Sequence, residues 1–218
     1  MQQAKALADL GSRKDFFSNP TIVLDTPFLI WSIPLEGMSS AAVPFGSWAK
    51  FKFATSRYRG PQKFGFYFYW VNPYNEYAVI NPASAMAATG HLKAHAPWTV
   101  GVNTSWVAAY ALLNLWFGWP DDVTSAQHGS VFLGNVGAFA STFTGSDTEG
   151  TSISSAPSLD TTIFAVPPGN TMVFEVALLL DYENDDGDIE ADFESGDFQI
   201  TCPVVWFSLL NSPPSALA

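Results

Sequence analysis

Two periodicities divide the chain. Over residues 1–19, Ala4, Leu7, Ala8 and Leu10 recur near helical spacing with Lys5, Asp9, Arg13 and Lys14 between them, which predicts a short amphipathic arm. From Pro20 onward short apolar runs are cut by Pro, Gly and Asn, and the alternation has a period of two. Lys50 and Lys52 alternate with Phe51 and Phe53, and Asp188, Glu190, Asp192 and Glu194 alternate with Ile189, Ala191 and Phe193. Strands of this kind turn one face to a core and the other to water. The runs predict strands over Thr21 to Leu24, Phe28 to Ser32, Trp48 to Phe53, Phe64 to Trp70, Tyr77 to Asn81 and Thr89 to Ala96. Further strands are predicted over Trp106 to Phe117, Ser130 to Leu133, Thr161 to Val166, Met172 to Tyr182, Ile189 to Glu194 and Phe198 to Leu209, the last broken at Pro203. The expected fold is therefore all-β: one jelly-roll-like antiparallel β-sandwich over residues 20–218, preceded by an N-terminal arm over residues 1–19.

Three stretches depart from simple alternation. Phe64-Gly-Phe-Tyr-Phe-Tyr-Trp70 is aromatic on both faces, so burial on both sides is expected. With Phe64, Phe66, Phe68 and Trp70 inward, Tyr67 and Tyr69 stand on the other face; packing beneath a loop or the N-terminal arm is the preferred reading, and a subunit contact or a sugar platform is the alternative. The Gly-, Ser- and Thr-rich region 134–158 reads as one extended surface loop. Between residues 98 and 119, Trp98, Trp106, Tyr110, Trp116 and Trp119 crowd together. Trp106, Tyr110 and Trp116 share a parity, so one continuous strand puts them on one face with Leu113 and Leu115 on the other. A Trp-rich core layer is the preferred reading, and a ligand face with Asp121 and Asp122 at its rim is the alternative.

Composition narrows the function. Of the 218 residues, 48% are hydrophobic and 15% aromatic, which excludes disorder, while only 13% are charged against about 25% in a typical soluble domain. So little charge favours a surface covered by partner subunits or by ligand. The formal net charge of −11 speaks against nucleic acid and anionic membranes, which need clustered Lys and Arg. The run from Val107 to Trp119 is shorter than the roughly 20 apolar residues that span a bilayer. No apolar segment follows the N-terminal Met-Gln-Gln-Ala-Lys, so a general secretory signal is not expected; the expected setting is the cytoplasm or an assembled particle.

The acidic cluster is the strongest candidate for ion chemistry. Nine of the twenty carboxylates lie between Asp181 and Asp197, a number that would suit the oxygen-rich shell of Ca²⁺. Asp185, Asp186 and Asp188 are the candidate ligands. EF-hand spacing fails, however: with Asp181 at the first position, Asp186 stands where the loop needs Gly, and Asp192 replaces the closing Glu. A hairpin turn over Asn184-Asp-Asp-Gly187, with Gly187 at positive φ, is the preferred reading, and no cofactor is expected. His91 and His95 share a strand face at roughly 13 Å, too far apart for one ion. Cys202 has no partner for a disulfide and reads as a small buried strand residue. There is no Gly-x-Ser-x-Gly elbow, no P-loop and no cupin His-x-His, and the acids in apolar contexts, Glu76 and Glu175, read as satisfied sheet residues or edge charges.

The blocks Phe66-Tyr-Phe-Tyr-Trp-Val-Asn-Pro73, Tyr77-Ala-Val-Ile-Asn81 and Gly90-His-Leu resemble a group of bacterial β-rich proteins. Val166-Pro-Pro, Val173 to Leu178, Asp192-Phe-x-Ser-Gly-Asp-Phe198 and Cys202-Pro203 extend the resemblance to about half of the chain. It implies a β-rich module and no particular activity. The expected function is that of a non-enzymatic structural protein that assembles with itself into an oligomer, shell or filament. The alternative is a carbohydrate-binding module that holds a polysaccharide on its Trp-rich face.

Overall fold

The computed structural model describes residues 21–33, 38–42, 48–56, 59–118 and 126–211. Among them are fifteen strands and no helix: β1 (Thr21–Leu24), β2 (Leu29–Ile33), β3 (Met38–Ala42), β4 (Trp48–Thr55), β5 (Arg59–Val71), β6 (Ala78–Ile80), β7 (Ala83–Ala96), β8 (Val102–Phe117), β9 (Ala126–Ser141), β10 (Asp147–Ser155), β11 (Ser158–Asp160), β12 (Phe164–Val166), β13 (Thr171–Asn184), β14 (Asp188–Phe193) and β15 (Gln199–Ser208). The predicted arm over residues 1–19, Trp119, Asp121 and Asp122 lie outside the described residues.

The pairing order makes the sandwich a jelly roll. One sheet contains the sequence of neighbours β4-β14-β7-β10, and the other runs β2-β5-β13-β8-β9. Counting β4, β5, β7, β8, β9, β10, β13 and β14 in chain order, the first strand lies beside the eighth and the third beside the sixth in one sheet. In the other, the second lies beside the seventh and the fourth beside the fifth. All ladders are antiparallel, and this is the two-sheet jelly-roll arrangement. β14 and β15 divide one edge of β7 between them: β14 pairs with His91 to His95 and β15 with Ala83 to Thr89.

Alternation builds the core as the sequence predicts. Phe51 and Phe53 of β4 face Phe64 of β5 and Tyr182 of β13 across the sandwich, with ring centroids 5.3 Å apart for Phe51–Phe64 and 5.4 Å for Phe53–Tyr182. Phe207 closes the far end against Trp70 at 5.1 Å and stacks on Phe174 at 5.5 Å. At Pro203 the ladder to β7 slips between Thr201 and Val204, and the buried set changes parity from Ile200 and Cys202 to Val205 and Phe207. A proline that cannot donate to a ladder is accommodated at such an irregularity. Burial pushes the Cys202 thiol up to about 12, despite hydrogen bonds to Ser84 and Val204 that pull the other way, so it is an inert core residue.

Two expectations are corrected. Residues 134–158 are not one loop: β9 runs to Ser141, a short turn with Gly145 at φ 78° follows, and β10 pairs with β7 along its whole length. Small residues suit this segment: Ala138 and Ala140 are buried in the core, and an added Cβ would lie 2.5 Å from Ile153 Cδ1 at Gly134 and 2.7 Å from His91 Cε1 at Gly150. Residues 184–187 are not a hairpin either, since β13 pairs with β5 and β8 whereas β14 pairs with β4 and β7. The segment is a corner from one sheet to the other, so the carboxylates are divided between the two sheets. Gly187 is not among the positive-φ residues. It is required for space, because an added Cβ would meet the His95 carbonyl oxygen and Ser105 Oγ at about 2 Å.

Candidate functional site

Register across β5, β13 and β8 lays out the outward face of the five-stranded sheet in rows. In order these are Tyr69–Val173–Trp116, Tyr67–Glu175–Asn114, Gly65–Ala177–Leu112, Lys63–Leu179–Tyr110, Pro61–Asp181–Ala108 and Arg59–Glu183–Trp106. The opposite parity on the same strands belongs to the core.

Glu175 sits at the centre of this face and is 0% exposed. A buried carboxylate has to be paired and hydrogen-bonded. Tyr67 Oη donates to Oε1 at 2.6 Å and Asn114 Nδ2 to Oε2 at 2.7 Å, while Lys63 Nζ lies 2.8 Å from Oε1 and 3.0 Å from Oε2. Gly65 makes the arrangement possible, because a Cβ there would lie only 3.2 Å from both Glu175 Cγ and Oε1. Burial, then the charge of Glu175, then the hydrogen bond push the Tyr67 hydroxyl well above the usual phenol range. Tyr67 is thereby fixed as a neutral donor.

Around this network the face is apolar. Tyr69 is 54% exposed and meets Phe28 edge-on at 5.4 Å. Tyr67 packs against Trp116 at 6.3 Å and Tyr110 against Phe132 at 5.6 Å, both in T-shaped contact. Trp116 Nε1 is buried and has no acceptor among the described residues. At one end Phe28, Tyr69, Val71, Gly118, Thr171 and Val173 line a depression of about 400 Å³, with no charged group among the described residues that line it. At the other end Trp106, Arg59, Asp181 and Glu183 line a cleft of about 280 Å³ with Gly60, Pro61 and Tyr182.

The candidate aromatics therefore divide. Tyr69, Trp106, Tyr110 and Trp116 are on one outward face and at least partly exposed, and Tyr67 is on the same face but buried. The expected Trp-rich core layer is corrected: the core side of β8 is Val107, Ala109, Ala111, Leu113 and Leu115. Both faces of this strand are apolar, so parity established the grouping but not its direction. The sequence reading missed Lys63 and Asn114 as partners of Glu175, and Arg59, Asp181 and Glu183 as neighbours of Trp106. The only signal was Glu175 itself, a single acid inside an apolar run.

The acidic segment shows local hydrogen bonding. Asp185 Oδ2 accepts from Thr104 N at 3.1 Å and Thr104 Oγ1 at 2.9 Å, Asp186 N donates to Asn103 Oδ1 at 3.2 Å, and Asp188 is exposed at the start of β14. Among the described residues no group of three His, Cys, Asp or Glu side chains is placed to hold a metal ion. His91 and His95 are both on β7, as the strand reading predicts, and His95 Nδ1 contacts Thr148 Oγ1 at 2.8 Å.

No family model and no curated protein matches the chain. Among solved structures it is similar to CsCBM6-3 from Clostridium stercorarium, solved in complex with cellobiose, at 10% identity over 84% of this chain and 92% of that one, with a TM-score of 0.24. Similarity to the carbohydrate-binding module TmCBM27, described for specific mannan recognition, is 12% identity over 87% and 95% of the two chains, with a TM-score of 0.25. A chain of the infectious bursal disease virus Gx strain structure gives 9% identity over 84% of this chain and 38% of that one, at a TM-score of 0.20. At these scores the class of the protein, an antiparallel jelly-roll β-sandwich, rests on its own strand order.

Proposed function

We propose that the protein is a non-enzymatic structural subunit that associates with copies of itself through the outward face of its five-stranded sheet. The observation that carries this reading is the depression formed by Phe28, Tyr69, Val71, Gly118, Thr171 and Val173, uncharged among the described residues. It continues into a face whose central charges, Lys63 and Glu175, neutralise each other. With only 13% charged residues, much of the surface consists of apolar and small polar groups that another copy can cover. Light scattering on the purified chain at micromolar concentration should give several times the monomer mass. Tyr69→Glu combined with Val71→Glu should lower that mass while leaving the β-sheet circular dichroism unchanged, since both side chains are exposed. A monomer across the whole concentration range would overturn the proposal.

A further inference from the structure

The cleft at the other end of the face has a different chemistry from the apolar depression. Arg59, Glu183 and Trp106 form one cross-strand row over β5, β13 and β8, and Asp181 stands in the next row between Pro61 and Ala108. Gly137 of β9 is the partner of Trp106 on its remaining side, so no side chain rises there beside the indole. Among the described residues the result is a cleft of about 280 Å³ walled by the Trp106 indole and rimmed by the Arg59 guanidinium and the Asp181 and Glu183 carboxylates.

We propose that this cleft binds a sugar ring of an oligosaccharide or polysaccharide, with the apolar face of the ring against Trp106 and its hydroxyls on Arg59, Asp181 and Glu183. A guanidinium only donates hydrogen bonds and an ionised carboxylate only accepts them, so a ligand engaged by both must carry groups able to do either. Hydroxyls meet that requirement. An anionic ligand would face two carboxylates, and a cationic ligand would face Arg59. A wholly apolar ligand would strip water from the charged rim and give no hydrogen bonds in return, which is costly. A flat apolar patch edged by hydroxyls is the remaining fit, and hydrogen bonds to charged groups are the stronger kind. The inference does not depend on self-association, because the cleft and the apolar depression lie at opposite ends of the face.

The test uses the full chain, with soluble gluco-, manno-, xylo- and galacto-oligosaccharides as probes, followed by calorimetry and tryptophan fluorescence. Saturable binding of at least one probe is expected. Trp106→Ala should weaken it at least about tenfold, Trp106→Phe should restore part of it, and Asp181→Asn should weaken it by a comparable factor. Asp181 is exposed, so its variant should fold even if Trp106→Ala does not. Trp98→Ala, which removes an exposed indole outside the cleft, should leave the affinity unchanged. Sedimentation on the same variants reads self-association separately. Absence of saturable binding to every probe, or binding that Trp106→Ala and Asp181→Asn leave intact, would overturn the proposal.

Discussion

Tyr67 Oη donates a 2.6 Å hydrogen bond to Glu175 Oε1 on the outward face of a sheet, where a carboxylate would ordinarily reach water. Glu175 instead lies over Gly65 with no exposed surface, between Tyr67, Asn114 and the Lys63 ammonium. The consequence is a face whose central carboxylate presents nothing to solvent and whose one part-exposed central charge, the Lys63 ammonium, is held against it. Apolar contact can then extend across the carboxylate without stripping water from it.

Removing one member of such a network leaves the others unsatisfied. Glu175→Ala should destabilise the fold by about 3 kcal/mol, at the lower end for a broken buried pair because Lys63 can turn toward solvent. Replacing Lys63 and Glu175 together by Met should cost less than Glu175→Ala alone, since Met at 175 fills the space that Ala leaves empty and no ammonium is left without its carboxylate. Urea denaturation of the variants checks this order, and a double replacement that costs more than the single one would refute it.

Acid should act through Asp192. Burial alone would raise its carboxyl, but hydrogen bonds from Ser195 Oγ, from the Glu194 and Ser195 amides and from Lys52 together outweigh it and hold the group at about 2, below the reference 3.8. A lowered folded-state value means that the stabilisation is present above the unfolded value and is lost as pH falls through the folded one. The wild type should therefore lose on the order of 1 kcal/mol more than Asp192→Asn between pH about 4 and 2, after allowance for solvent screening. Urea midpoints of both proteins across that range would show it, and parallel curves would count against it.

Gly187 tests why the corner at 184–187 needs glycine. Had the requirement been a left-handed backbone, Asn would substitute better than Ala. The obstruction is steric, with the His95 carbonyl oxygen and Ser105 Oγ both about 2 Å from a Cβ. Gly187→Ala and Gly187→Asn should both destabilise by about 3 kcal/mol or more, or prevent folding. A mild Asn variant beside a severe Ala variant in thermal denaturation would restore the left-handed reading.

The sandwich was legible where a strand has one polar and one apolar face, as in Lys50 to Phe53 and Ile189 to Phe193. It was much less legible where local composition opposes the strand state. Between residues 134 and 158, long ladders to β8 and β7 override the low strand preference of Gly and Ser, because preference in a sheet is set by packing and partners. Turn residues at 184–187 marked a change of direction, but nothing local specifies which strand receives the chain afterwards. The same limit governs the site. Parity brought Trp106, Tyr110 and Trp116 together, whereas the meeting of Lys63, Tyr67, Asn114 and Glu175 depends on registers between distant segments.

Salt dependence separates an apolar self-contact from an ionic one. Each copy carries a formal charge of −11, so copies repel at low ionic strength, and a contact through Phe28, Tyr69 and Val71 gains nothing from opposite charges across it. Raising salt from about 0.05 to 0.5 M shortens the screening length to a few ångströms, which weakens the repulsion and leaves the apolar attraction in place. Sulfate should add to the effect by strengthening apolar burial. The weight-average mass in sedimentation equilibrium should therefore rise with salt, more in sulfate than in chloride, and the rise should be smaller for Tyr69→Glu combined with Val71→Glu. Dissociation on adding salt would show instead that ion pairs between copies hold the assembly together.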